Sequence, residues 1–128
     1  HNPHNSALFQ SLGQLRYLSA MKWVDAVVGN SSSGIIEAPS MKVATIDIGD
    51  RQKGRLAADS IIHCEPEMES IKKAFKKLHS QKFKNSLAQV QNPYGNGGAA
   101  KKILKFLKTI NLDTIKPKEF KDINQLTP

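Results

Sequence analysis

The stretch from Val27 to Arg55, VVGNSSSGIIEAPSMKVATIDIGDRQKGR, restricts the fold more than any other part of the chain. A continuous apolar segment, Ala26-Val27-Val28, breaks at Gly-Asn-Ser-Ser-Ser-Gly. A short helical segment over 33–40 follows, with Pro39 inside it or at its end. A second apolar strand over 43–48 is stopped by Gly49-Asp50. Strand, turn, helix and strand in this order predict parallel pairing, because parallel neighbours need a crossover. Ala26–Val28 is apolar throughout and does not alternate, which predicts a strand covered on both faces.

The flanks extend the alternation. A helix is expected over 12–24, with Leu12, Leu15, Leu18 and Met21 on one face, Ser11 as its N-cap, and Trp23 and Val24 closing it. Ile61–Cys64 reads as a third strand and Leu8–Gln10 as a candidate fourth. Pro66 leads into a helix over 67–81, whose start is favoured by Glu67 and Glu69. A further helical stretch covers 83–90, the run Asn92–Gly98 is a turn, and a helix covers 99–110. Beyond Asn111 the composition is rich in Lys, Pro and Asp, and an extended or loose tail over 111–128 is expected. The fold class is therefore α/β, a partial Rossmann-like parallel sheet with flanking helices, with residues 1–110 as its domain. So few strands, and so abrupt a start, predict the C-terminal part of a larger domain. Exposed sheet edges in such a part-domain predict self-association, most simply a homo-oligomer.

The 128 residues fit one domain and carry a formal net charge of +8. The charge sits where it does not point to nucleic acid. Lys72, Lys73, Lys76 and Lys77 oppose Met68, Ile71, Phe75 and Leu78 at helical spacing. Lys101, Lys102, Lys105 and Lys108 do the same around Ile103, Leu104 and Leu107. These are solvated faces of amphipathic helices, without the interleaved aromatics of a single-strand binder. No apolar run approaches the ~20 residues of a membrane span, so no membrane partner is expected. The N-terminus HNPHNSALFQ lacks the basic-then-apolar layout of a secretory leader. A single cysteine, Cys64, excludes an intrachain disulfide and suits a reducing cytoplasm, with the thiol acting as a small buried hydrophobe. His1 and His4 have no third ligand in reach, so no metal or other cofactor is expected.

The chemistry concentrates after Val28. Ligands of open α/β sheets bind at the carboxyl ends of the strands, where Asn30–Gly34 falls. A helix start there offers backbone N–H groups, and Ser31, Ser32 and Ser33 add hydroxyls, a set suited to phosphate. A plain helix cap with no ligand uses the same residues. Glu37 is a carboxylate in an apolar stretch and needs a partner, either the two hydroxyls of a ribose or the guanidinium of Arg51 or Arg55. The planar fork of Arg51 suits a diphosphate. Glu37 and Asp50 do not have the spacing of a general acid/base pair, and no histidine lies beside them in sequence. The segment is neither a P-loop, lacking Gly-Lys-Ser/Thr, nor a GxGxxG turn.

Four blocks in order, SLGQLRYLS, GNSSSGIIEAPS, IGDRQKGR and NPYGNGGAAKKI, resemble the hydrolysing UDP-N-acetylglucosamine 2-epimerases of bacterial sialic and legionaminic acid synthesis. The resemblance implies the C-terminal portion of a two-domain GT-B fold with its active site between the halves. It implies that Ser31 and Ser32 hold a UDP diphosphate, that Glu37 binds the ribose and that Arg51 lies near the phosphates. Leu12 and Gly13 would lie by the uracil, and Ser33 and Gly34 complete the expected substrate-binding set. The NPYG turn and the last helix would cross back toward the first domain. The reaction implied is loss of UDP to a 2-acetamidoglucal, then addition of water to give N-acetylmannosamine. The family's catalytic acids and histidine match nothing in this chain, so no catalytic residue and no activity of the chain alone are expected. A GT-B glycosyltransferase site and a non-catalytic interaction domain are the competing readings.

Overall fold

The computed structural model of the chain describes residues 3–111. The chain packs as two units, His1–Asn96 and Gly97–Pro128. In the first, strands β1 (Ala26–Gly29), β2 (Ala44–Ile48) and β3 (Ile61–Cys64) form a parallel sheet in the order β1-β2-β3. Ala26 pairs with Ala44, and Thr45 with Ile61. The central strand β2 is buried along nearly its whole length, Asp47 included, as a strand with a neighbour on each side and cover on both faces is.

Strand alternation sends Ala44 and Ile46 to one face of the sheet, where they meet Ile62, Ala74, Leu78 and Phe83. That face is covered by α3 (Met68–Leu78) and α4 (Gln81–Leu87). On the other face Ile35, from the one-turn helix α2 (Ser33–Ile36), packs with Ala58, Ile61 and Val90. A third cluster joins Met21 of α1 (Gly13–Met21) to Ala38 and Val43.

Several sequence expectations shift. Leu8–Gln10 forms no strand. β1 is half-buried, with Val28 47% exposed, because it lies at a sheet edge and has one strand neighbour among the described residues. In α1 the buried side is Tyr17, Leu18 and Met21, while Leu15 is 81% exposed. Ser11 is not the N-cap. Gly13 has a φ of +66°, a conformation open to glycine, and its N–H is taken by Ser11 Oγ at 3.1 Å just before the helix begins. The helix stops at Met21, leaving Trp23 and Val24 beyond it. The segment over 33–40 is one turn of α-helix followed by a 3-10 turn, Ala38–Met41, since Pro39 has no N–H to continue the ladder.

The long helix expected over 67–81 ends at Leu78, and its buried stripe is centred on Ala74 and Leu78, with Met68 and Phe75 exposed. Ser80 then starts α4 by accepting the Phe83 N–H at 3.3 Å, so the next helix occupies 81–87 in place of 83–90. Cys64 packs against the α3 side of the core but is half-buried, less enclosed than expected. In the second unit α5 spans Ala99–Thr109, entered through Gly97 and Gly98, both at positive φ. The tail expected over 111–128 lies, from 112 onward, outside the described residues.

Candidate functional site

The carboxyl ends of β1 and β2 open into two loops, Asn30–Ser32 and Gly49–Ser60. Gln52 ties them together. Its side chain is buried, and Nε2 donates to the Asn30 carbonyl at 2.7 Å. The remaining amide oxygen, Oε1, is buried with no partner. Gln52 sits among Asp50, Arg51 and Lys53, where the charged neighbours draw the attention in sequence, and only the folded loop singles it out. It fixes the distance between the serine turn and the arginine loop.

The serine turn is partly spent on its own geometry. Ser31 Oγ accepts from the Ser33 N–H at 3.3 Å, and the Gly34 N–H donates to the Ser31 carbonyl. Ser33 Oγ donates to the Tyr17 hydroxyl at 2.9 Å, fastening α1 to the turn. Of the three hydroxyls, that of Ser32 makes no hydrogen bond among the described residues. A one-turn helix also carries little of the macrodipole a longer one would offer. Gly34 is buried. A Cβ there would lie 2.6 Å from Thr45 Cγ2, and Thr45 Oγ1 donates to the Gly34 carbonyl at 2.8 Å. Glycine lets the turn lie directly on β2, and from this position it can face a ligand only through its backbone.

Glu37 follows α2 and is half-buried between exposed Ile36 and buried Ala38. Among the described residues it forms no ion pair, so neither Arg51 nor Arg55 serves as its partner. Arg51 is exposed and lines a depression with Gly29, Asn30, Ile48, Gly49, Asp50 and Pro66, which brings it beside the start of the serine turn.

Leu12 and Gly13 line a separate depression with Ser11, Gln14 and Tyr17. Their place at this end of the sheet follows from the course of α1. Met21 packs near Val43, at the amino end of β2, while Tyr17 reaches Ser33 beyond the carboxyl end of β1. The helix thus runs against the strands, and its N-terminus lies toward their carboxyl ends. The fold therefore brings Leu12 and Gly13 to the same rim as Ser31, Ser32 and Ser33, with Arg51 in a separate depression beside the start of the serine turn, while Glu37 lies further along the crossover, between α2 and the 3-10 turn.

A second polar pair was not anticipated from the sequence. Asp47 and His63 are partners across the β2–β3 ladder, and His63 Nδ1 lies 2.8 Å from the buried Asp47 Oδ2. The signal existed, since both occupy alternate positions in strands, but it becomes readable only when the register is known. Next to it, burial raises the Cys64 thiol above its ordinary pKa, helped by the negative charges of Asp47 and Glu65. Among the described residues no three His, Cys, Asp or Glu side chains converge as metal ligands would, and His1 of the terminal pair lies outside them. Among the same residues no helix is long and apolar enough to cross a membrane.

Comparison with known proteins gives a consistent result. The chain is 50% identical over 123 residues to a GDP/UDP-N,N'-diacetylbacillosamine 2-epimerase (hydrolyzing) of Campylobacter jejuni, covering 95% of this chain and 32% of the relative. It is 42% identical over 115 residues to polysialic acid biosynthesis protein P7 of Escherichia coli, covering 87% of this chain and 29% of the relative. It is 31% identical over 106 residues to a UDP-N,N'-diacetylbacillosamine 2-epimerase (hydrolyzing) of Legionella pneumophila, covering 82% and 27%. The chain thus spans about a third of the length of the curated relatives it matches. The family described as UDP-N-acetylglucosamine 2-epimerase matches residues 1–108, and the chain belongs to that family.

Proposed function

We propose that this chain is the UDP-binding portion of a hydrolysing UDP-sugar 2-epimerase with a GT-B architecture, acting in the cytoplasm. The observation that carries this reading is Glu37. It is a half-buried carboxylate shortly after the serine turn that forms no ion pair among the described residues, although Arg51 and Arg55 lie on a neighbouring loop. Such a group is available to accept hydrogen bonds from a ribose diol. The Ser32 hydroxyl and the exposed guanidinium of Arg51 stand on the same rim and suit the two phosphates. Leu12 and Gly13 offer backbone to the uracil. In the whole protein these groups hold the leaving nucleotide while the sugar loses UDP and then takes up water, giving N-acetylmannosamine from UDP-N-acetylglucosamine. The acid and base for those steps come from outside this chain, so the chain alone is inactive and binds UDP weakly.

Isothermal calorimetry with UDP tests the site. Binding is expected in the range of about millimolar Kd, near −4 kcal/mol. Ser32→Ala and Glu37→Ala each weaken it about tenfold or more, as loss of a hydrogen bond involving a charged group does. Absence of heat at millimolar UDP, or heat unchanged in both variants, refutes the reading.

A further inference from the structure

Asn92 belongs to the NPYG turn, far from the serine turn in sequence, yet its side chain reaches both flanks of Glu37. Nδ2 donates to the Ile36 carbonyl at 2.7 Å and to Ser40 Oγ at 2.6 Å. One contact precedes Glu37 by a single residue, and the other follows it within the 3-10 turn. The amide's orientation is fixed from its other end, because Oδ1 accepts the Tyr94 N–H at 2.9 Å. Both amide hydrogens are thereby committed to the segment that carries Glu37. Residues 90–92 form a strap over this segment, held at two further points. Val90 is buried against Ile35, and the Lys42 ammonium donates to the Val90 carbonyl.

The consequence is local and specific. Glu37 is the junction between α2 and the 3-10 turn, where the backbone ladder changes register. Such a junction has few internal bonds to hold its direction. Asn92 supplies bonds on both sides of it. We propose that Asn92 is the positioning residue for Glu37, setting the line along which that carboxylate meets the ribose of a uridine diphosphate. The inference rests on the nucleotide reading above and adds to it a residue whose role is to confer ribose discrimination.

The test compares UDP with 2′-deoxy-UDP by nitrogen-15 NMR titration of the 128-residue chain, a method suited to weak binding. The wild type is expected to prefer UDP about tenfold, as one lost hydrogen bond to a carboxylate predicts. Glu37→Gln and Asn92→Ala both bring the two affinities together. Ser40→Ala, which removes one of the two anchors, narrows the ratio in part. Ser80→Ala removes the cap of α4, on the opposite face of the sheet, and serves as a control destabilised without touching the strap. It keeps the full preference. A merely structural role for Asn92 weakens both nucleotides alike and leaves the ratio intact. That result, with Glu37→Gln still abolishing the preference, overturns the inference and spares the nucleotide site. A wild type with no preference overturns the ribose role of Glu37 and the inference with it. If Asn92→Ala does not fold, Ser40→Ala decides, and an unchanged ratio in it refutes the proposal.

Discussion

Replacing Gly34 with alanine tests how α2 is seated. The new methyl carbon would lie 2.6 Å from Thr45 Cγ2 and 3.3 Å from Thr45 Oγ1. Two carbons rest at about 3.5–4.0 Å, so roughly 1 Å of separation has to be found. Thr45 is buried and β-branched, and its hydroxyl is already bonded to the Gly34 carbonyl. If Thr45 holds its rotamer, α2 must lift from the sheet, an overpacking strain of about 1–3 kcal/mol. If Thr45 turns, its hydroxyl is left buried without a partner, at a similar cost of about 1–3 kcal/mol. Gly34 is not among the positive-φ glycines, so alanine recovers up to about 1 kcal/mol of chain entropy. The net expectation is a loss of about 1–2 kcal/mol, or roughly 4–8 °C in Tm per kcal/mol for a unit of this size. Urea unfolding followed by circular dichroism reads it as a lower midpoint with an unchanged slope. Thr45→Ser removes the offending methyl and keeps the hydroxyl. In the double variant the two changes should therefore couple favourably by about 0.5 kcal/mol or more. A midpoint raised by Gly34→Ala, or strictly additive effects in the double variant, refutes the steric argument.

Two other perturbations give distinct readouts. Gln52→Ala cuts the tie to Asn30 and costs about 1 kcal/mol or less, because the variant also removes an amide oxygen that had no partner. Limited tryptic digestion should then cleave faster at Lys53 and Arg55, and an unchanged rate counts against Gln52 as the tie. For Cys64, burial and the neighbouring carboxylates raise the folded thiol's pKa above its unfolded value. The unfolded chain therefore gives up this proton first as pH climbs, so the thiol's contribution to stability is whole below the unfolded pKa and is lost as pH rises through the folded one. Alkylation near neutral pH should be slower in the native chain than in urea, and equal rates would show that Cys64 is not shielded.

The parallel sheet and its crossovers were legible because short apolar runs, two of them ended by glycine turns, alternate with helical and loop segments and leave few alternatives. Thr45, Asp47 and His63 were not, since their roles depend on which residue of a neighbouring strand lies opposite. The serine turn stood out as a candidate site from its composition. That Ser31 and Ser33 are occupied by Ser33 and Tyr17 is a matter of tertiary geometry, and Tyr17 had no sequence mark beyond lying on a helix. Edge position explains the exposure of Val28, because a strand's apolarity does not reveal how many neighbours it has. Gln52 and Asn92 were invisible for one reason: each is a polar residue in a polar loop whose partner is a distant backbone carbonyl.

The parallel ladder also governs how this chain must acquire its structure. Every rung from β1 to β2, and from β2 to β3, joins residues on opposite sides of a whole crossover segment. No hairpin exists in the sheet to nucleate pairing locally, so loop closure has to be completed before the first rung is gained. The three strands should consequently gain protection against amide exchange together, as a single late cooperative event, while α3 and α4 flicker into shape beforehand.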